Sequence, residues 1–388
     1  MFWFPLISLL LVGSACNAIS SDVSGFLTPE LPDHFPPFSN NHQLTKERVE
    51  LGRWLFYDTR LSRDGTRSCG ICHEQSKAFS DGLIRGLGIE NTPLPLNSLA
   101  LFNIAWREDL TWYQSFEDIS SHMEIPLFAT DPVEMGMDEV LLQHRLEESE
   151  RYAHMFAAAF PDDEIPITTA NTVQAIADFT VTIVSGHSPY DQWLLGENTL
   201  SEEELEGMNL FFGDKMRCSA CHGGLFFDEP DVEQTELHAR HGYFNTGLYN
   251  IEGGGSYPEN SQGLILVTGK AEDMGKFRIP SLRNLSFTYP WMHDGTELSL
   301  ENILSAYAQG GRVIESGPHQ GDGRQNPYKS HLIAGFEMTD SEKSAVLSFL
   351  GTLNDEQLLE DEKWQTPFCM EEAGQVINPP CTAPFLLE

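Results

Sequence analysis

The 388-residue chain is short of positive charge: 23 Lys and Arg stand against 58 Asp and Glu, for a formal net charge of −35. Such a chain repels phosphate backbones and anionic lipid headgroups, which sets nucleic acid aside as a partner. A basic protein partner or a salty environment suits it equally. Long apolar runs are lacking too: after the first 18 residues no segment is apolar enough to cross a bilayer. Strand signals are weak throughout, and no short-period repeat recurs. Histidine and methionine are missing altogether between His73 and His122.

What is present begins with a leader, MFWFPLISLLLVGSACNA, too short to span a membrane comfortably and ending in small residues, as in a signal peptide of residues 1–18. It lacks the usual positive start. Two cleavage modes fit: an ordinary cut after Ala18, or a lipoprotein-type cut that leaves Cys16 lipidated and the chain anchored in the membrane. The remaining chain, 40% hydrophobic, is long enough for a substantial core and fits two domains better than one. Of seven cysteines, Cys369 and Cys381 sit close together in a Pro-rich tail (361–388), where export predicts a disulfide closing a short loop. Besides Cys16 of the leader, the remaining four lie in SCGICH (68–73) and RCSACH (217–222).

The pattern predicts a mostly helical protein with two similar halves, residues 25–195 and 196–360, each built round one C-x-x-C-H. Helices are expected over Thr45–Tyr57, Glu139–Phe160 and Thr168–Ser185, and after Ser201, Ser299 and Thr339; Ser201 with Glu204 and Thr339 with Glu342 have capping-box spacing. Residues 186–198 read as the inter-domain link, and Gly310-Gly311 as a helix stop.

Two cysteines three positions apart place both sulfurs on one side of a helical turn, where they can bond covalently to porphyrin vinyl groups. The adjacent histidine then points beneath the ring and ligates iron. Zinc would require two further ligands near each string, and a redox dithiol a βαβ setting; neither pattern is visible. Cys69, Cys72 and His73 are therefore the expected attachment site of haem 1, and Cys218, Cys221 and His222 that of haem 2. The stretch after His73, free of histidine and methionine, carries none of the usual strong sixth ligands, which favours an open iron at haem 1.

The strings LGRWLFYDTRLSRDGTRSCGICH, DPVEMG, SGHSPYDQW, LFFGDKMRCSACHGG and FRIPSLRNLSFTYPWMHDG, in that order from about Leu51 to Leu350, resemble the bacterial di-haem cytochrome c peroxidase and MauG family. FYDTRLS, LTW, YFNTGLYNI and GKAEDMGKFRIPSLRN look most like its MbnH branch, associated with methanobactin-type copper genes. The resemblance implies two cytochrome c-like domains related by a pseudo-two-fold, a peroxide-reacting haem 1 and an electron-storing haem 2. Trp112 falls at the family's inter-haem relay, although Trp-Tyr-Gln-Ser replaces the usual Trp-Asp-Gly-Arg; a core tryptophan is the alternative. Glu134 matches the distal carboxylate, which in an apolar pocket can shuttle the peroxide proton. His122 stands where glutamine is common, to hydrogen-bond peroxide, to bind iron, or to fill a structural role. Tyr307 matches the tyrosine that ligates haem 2 in the MauG branch, with Met292, Met274 or Met338 as substitute ligands and a packed core tyrosine as the other alternative. His293 matches a histidine near the haem 2 propionates. Asn97 and the carbonyls of Arg278 and Pro280 resemble the ligands of a calcium ion between the haems.

The function so implied is peroxidase chemistry: hydrogen peroxide generates a high-valent di-haem state that oxidises a partner protein, in the MbnH branch a tryptophan of a copper-binding partner taken to kynurenine. The alternatives are a scavenging peroxidase fed by a small redox protein and, outside enzymes, a di-haem electron carrier. The expected location is the periplasm.

Overall fold

The computed structural model describes residues 31–38, 44–107, 109–114, 118–230 and 242–368. The leader with Cys16, and Cys369 and Cys381 with their expected disulfide, lie outside these residues. The described chain is mainly helical: α1 Lys46–Tyr57, α2 Cys69–Cys72, α3 Ile119–Phe128, α4 Glu139–Glu147, α5 Glu150–Ala159, α6 Thr169–Thr180, α7 Pro189–Leu194, α8 Glu202–Phe212, α9 Ile265–Thr268, α10 Leu300–Gln309, α11 Asp340–Gly351 and α12 Gln357–Glu360. Among the described residues strand is confined to two antiparallel pairs, β1 (Tyr243–Phe244) with β2 (Phe277–Arg278) and β3 (Val313–Ile314) with β4 (Gly321–Asp322).

The two halves repeat one packing motif. In the first, α1 crosses α6 so closely that a Cβ on Gly52 would lie 1.8 Å from the Ala175 carbonyl oxygen and 2.9 Å from Phe179 Cβ. In the second, α8 crosses α11 and a Cβ on Gly207 would lie 1.9 Å from the Ala345 carbonyl oxygen and 2.9 Å from Phe349 Cβ. Four residues after each glycine comes a phenylalanine, Phe56 or Phe211, fully buried against Phe179 or Phe349. Burying each such ring contributes about 1.5–3 kcal/mol, and only glycine lets the helices approach so far.

A second repeat marks the axis between the halves. Asn103 and Asn284, both buried and left-handed (φ 58° and 61°), donate their main-chain N–H to the carbonyls of Ile183 and Leu353 (2.8 and 3.1 Å). Their side-chain oxygens accept from the N–H of Ser185 and Asp355 (2.8 and 2.7 Å). Ser185 Oγ in turn donates to Asp355 Oδ2 at 3.2 Å. Equivalent residues of the two halves thus bond each other, as expected at a two-fold.

Helix ends follow their caps. Thr45, Thr168 and Ser299 each accept from a first-turn N–H, and reciprocal capping boxes form at Ser201/Glu204 and Thr339/Glu342. Gly310 closes α10 in the left-handed region (φ 82°). The expected Glu139–Phe160 helix is instead two, because Ser149 caps a new start and accepts from Tyr152 N–H. The helix expected to reach Ser185 stops at Thr180, freeing Ile183 and Ser185 for the asparagine bonds. Residues 186–198 contain α7, opened by a capping box between Ser188 and Asp191. Fully buried Asp191 receives a bidentate pair of bonds from fully buried Arg283 (2.8 Å each) and lies 2.9 Å from His34 Nε2. Ser188 and Asp191 of this segment are thus buried in the interior, whereas residues 194–198 lie exposed at the surface.

Candidate active site: two C-x-x-C-H turns and the space between them

Each string forms a single turn in which the histidine N–H donates to the first cysteine's carbonyl: His73 to Cys69 (2.8 Å) and His222 to Cys218 (2.9 Å). The chain then folds back in a short bridge, Glu74 with Ser80 and Gly223 with Glu229. That reversal presents the carbonyl of a left-handed, buried phenylalanine to the ring: His73 Nδ1 lies 3.0 Å from Phe79 O (φ 60°) and His222 Nδ1 3.1 Å from Phe227 O (φ 57°). The main chains of Leu99 and Pro280 approach the same two rings. Burial lowers both histidine pKa values, His222 to about 4, so the imidazoles are neutral. With Nδ1–H held by a carbonyl, the Nε2 lone pair is left for a metal. Burial pushes the thiols of Cys69 and Cys218 up to about 12 and those of Cys72 and Cys221 to about 11, the opposite of a reactive dithiol. Among the described residues no three or more His, Cys, Asp and Glu side chains gather as zinc would require.

Around the second string a cavity of about 260 Å³ opens, lined by Cys218, Cys221, His222, Met292, Leu304 and Tyr307 among others. Tyr307, on α10, is close enough to Cys221 and Cys218 that burial first, and those thiols next, raise its pKa. Its hydroxyl has no hydrogen-bond partner among the described residues. Met292 shares the lining; Met274 packs in the Trp112 cluster and Met338 against the α8–α11 core. His293 also lines the cavity, stacked on Phe277 with ring centroids 3.5 Å apart, and burial lowers its pKa to about 4. Its Nε2 is buried without a partner among the described residues, a cost unless a group in the cavity supplies one. Arg107 and Arg278 add guanidinium groups to these apolar walls. An apolar cavity with two thiols, a neutral imidazole, two orphaned polar groups and arginines fits a metalloporphyrin bearing propionates.

Around the first string the surroundings differ. Glu134 lies near enough to Cys69 and Cys72 to affect both thiols, and burial alone pushes its carboxyl up to about 7. His122, on α3, is near His73 and Arg278; burial first, then those two groups, lower its pKa to about 4. Among the expected first-string residues, the structure thus brings Glu134 near the two thiols and His122 near His73.

Trp112 lines the cavity of the second string and is tied by one bond to the segment that approaches the first. Its Nε1–H donates to the Asn97 carbonyl at 2.8 Å, two residues before Leu99, which approaches His73. On its other side it meets His293 edge-on at 6.3 Å and Phe277 at 6.5 Å. Asn97, Arg278 and Pro280 all line the same cavity. Asn97 Nδ2 donates to the Leu83 carbonyl (2.8 Å), leaving Oδ1 without a protein partner among the described residues, as a calcium ligand would be. The Pro280 carbonyl is shared with the His222 ring.

Phe79, Phe227, Leu99 and Pro280 fix the two histidine tautomers, and Arg107 pairs with buried Asp228 beside the cavity, roles that no motif of the sequence announces. One signal was available: L-A-L-F-N (99–103) and P-S-L-R-N (280–284) share a spacing that ends on the two left-handed asparagines.

Two matched thiol–imidazole turns on a duplicated helical scaffold define a di-haem c-type protein. The family described as "Di-haem cytochrome c peroxidase" is matched over residues 46–199. The chain is 34% identical over 321 residues to the methylamine utilization protein MauG of Methylorubrum extorquens, covering 82% of each. It is 32% identical over 259 residues to the cytochrome c551 peroxidase of Nitrosomonas europaea, covering 66% of this chain and 72% of that one. A crystal structure of a MauG-like protein associated with microbial copper homeostasis superposes with a TM-score of 0.83 at 40% identity, covering 88% of this chain and 99% of that one. The chain belongs to the di-haem cytochrome c peroxidase and MauG family of haem peroxidases, whose members carry two c-type haems.

Proposed function

We propose that this protein is an exported, periplasmic di-haem enzyme that uses hydrogen peroxide to oxidise a partner protein. Haem 1 is held by Cys69, Cys72 and His73 in a domain of residues 25–195, and haem 2 by Cys218, Cys221, His222 and Tyr307 in residues 196–360. The haems, when bound, supply the redox chemistry that takes up the two oxidising equivalents of peroxide. Glu134 moves the peroxide proton, and a carboxyl whose burial brings it to about 7 is suited to both accept and return one. His122, neutral at that pH, hydrogen-bonds the oxidant. Trp112 carries an electron between the centres, and His293 with the arginines receives propionates. A calcium ion held by Asn97 Oδ1 and the carbonyls of Arg278 and Pro280 would stiffen the seam.

The single observation that carries partner oxidation is Tyr307, lining the cavity beside Cys218 and Cys221 with its hydroxyl free of any bond to the described residues. A phenolate ligand favours oxidised iron and suits a centre that stores oxidising equivalents. By likeness to the copper-associated relative, the proposed substrate is a copper-binding protein; the resemblance of the motifs to the MbnH branch adds that its tryptophan is taken to kynurenine. Met292 in the same lining favours the second reading, a scavenger drawing electrons from a small redox protein. The test treats the holoprotein with peroxide beside a purified copper-binding partner or reduced cytochrome c. Kynurenine in the partner by mass spectrometry supports the proposal; rapid cytochrome oxidation with an unmodified partner supports the scavenger. Two six-coordinate, low-spin irons indifferent to peroxide would reduce the protein to an electron carrier.

A further inference from the structure

The chemistry above leaves open where electrons enter from outside. A depression of about 400 Å³ lies across the seam, one wall formed by Gly82, Leu83, Ile84, Arg85 and Leu87 of the first half and the other by Tyr289, Pro290 and Leu298 of the second. The first wall belongs to the haem 1 turn, since Cys72 Sγ lies 3.9 Å from the Leu87 carbonyl. The walls are locked together: Gly295 passes so close that a Cβ there would fall 2.2 Å from the Ile84 carbonyl oxygen. In a chain with a net charge of −35, the lining carries no carboxylate and one cation, Arg85. Its rim is exposed and apolar, with Leu83 42%, Ile84 53%, Tyr289 43% and Leu298 54% accessible.

One aromatic pair connects this depression to the inner cavity. The Tyr289 and Trp291 rings meet edge to face, centroids 5.3 Å apart. Trp291 lines the cavity that contains Cys218, Cys221 and His222, and its Nε1–H donates to the Leu285 carbonyl at 3.1 Å. An indole so bonded can give up an electron while keeping its proton. The Tyr289 phenol, nearly half exposed, can release its proton to water as it is oxidised. Neither residue has a stated role in the reaction proposed above.

We infer that Trp291 and Tyr289 form an electron-entry path from the exposed seam to the haem 2 cavity, with Tyr289 as the terminus that a donor side chain of the partner protein reaches. The inference rests on the proposal that peroxide oxidises the bound haems. For each oxidising equivalent, Trp291 yields one electron inward and regains it from Tyr289, whose phenolic proton leaves to water. The donor then returns one electron to the tyrosyl radical, which takes a proton back from water. Two such turns supply the two electrons that, with two protons, reduce one hydrogen peroxide to two waters. Without a donor, the radical remains on Tyr289, and pairs of chains couple to dityrosine: two phenols and one peroxide give one dityrosine and two waters.

The test adds peroxide to donor-free holoprotein, with and without a nitroso spin trap, follows the Soret band, and maps adducts and cross-links by peptide mass spectrometry. Trap adduct and dityrosine concentrated at Tyr289 are expected, both lost in Tyr289→Phe, with the adduct at 289 also lost in Trp291→Phe. A Soret response accompanied by radical products elsewhere, or a Tyr289 adduct that survives Trp291→Phe, overturns the path while leaving peroxide oxidation intact. A Soret band that does not respond to peroxide overturns both.

Discussion

The two halves share a scaffold and differ in what it faces. Each has a glycine-mediated helix crossing, a histidine held by the carbonyl of a left-handed phenylalanine, and an asparagine that ties the ends of its helices. On the first, the other groups near the turn are a carboxyl raised by burial and a neutral histidine; on the second, a tyrosine whose hydroxyl bonds to none of the described residues. Duplication preserved what orients the imidazole and let diverge the side chains that decide what the opposite face of a haem can do. Divergence also reached the interior: the residue before the shared asparagine is Phe102 in one half and Arg283, paired with Asp191, in the other.

The largest expected effect breaks the comparison at Glu134. Glu134→Gln should slow the reaction with peroxide by about 10²–10⁴-fold, measured by stopped-flow Soret changes, because it removes the proton carrier while keeping its shape. The wild-type rate should rise with pH through about 7, as the proton-accepting carboxylate forms, and Gln should abolish that inflection. Stability should run the other way. A carboxyl whose folded pKa is raised stabilises the fold below its unfolded pKa and loses that contribution as pH rises through about 7. An inflection that survives in the variant would assign the proton to another group.

Next in size is the ion pair peculiar to the second half. Burial tends to raise the Asp191 pKa, yet the hydrogen bonds and charge of Arg283 outweigh it and hold the group at about 2. Asp191→Ala would strand a fully buried guanidinium, with an expected loss of about 3–5 kcal/mol in denaturant unfolding. Phe102→Ala, at the matching place, should cost about the same for a different reason, the cavity it leaves. Only the aspartate variant should be rescued in part by a second change, Arg283→Met, which removes the stranded charge. Smaller, and equal in the two halves, should be Gly52→Ala and Gly207→Ala, at about 1–3 kcal/mol each, since both force a helix off a carbonyl at nearly the same distance. Markedly unequal losses would show that the two crossings do not bear the same share of stability.

How much of this was legible in the sequence follows from the range of the forces involved. The two C-x-x-C-H turns, the capping boxes at Ser201 and Thr339 and the stop at Gly310 depend on residues within four positions of one another, and the sequence displays them. Ser149, which splits the expected Glu139–Phe160 helix, is just as local, but its capping role is hidden inside a run with helical periodicity. The order inside residues 186–198 comes from Arg283, 92 positions from Asp191, and no local pattern announces it. Phe79 and Phe227 are likewise opaque, because nothing about phenylalanine predicts a left-handed backbone; burial of the ring holds it there. Glu134, Tyr307 and Trp112 could be picked out only through the family likeness, since a lone acid, tyrosine or tryptophan has many uses.

The smallest expected change is the sharpest test of how the halves differ. Tyr307→Phe removes a hydroxyl that bonds to no protein group among the described residues, so unfolding of the haem-free chain should shift by under about 1 kcal/mol. In the holoprotein the same substitution should alter the haem 2 absorption and its resting EPR signal, while haem 1 keeps its own. Met292→Leu is the counterpart, because Met292 is the other ligand candidate lining that cavity. A spectrum changed by Leu at 292 and indifferent to Phe at 307 would assign the iron to sulfur, raise its expected potential and move the protein toward the scavenging peroxidases. A spectrum changed only at 307 would place the divergence of the two halves in one phenolic oxygen, since the imidazole side of both turns is built alike.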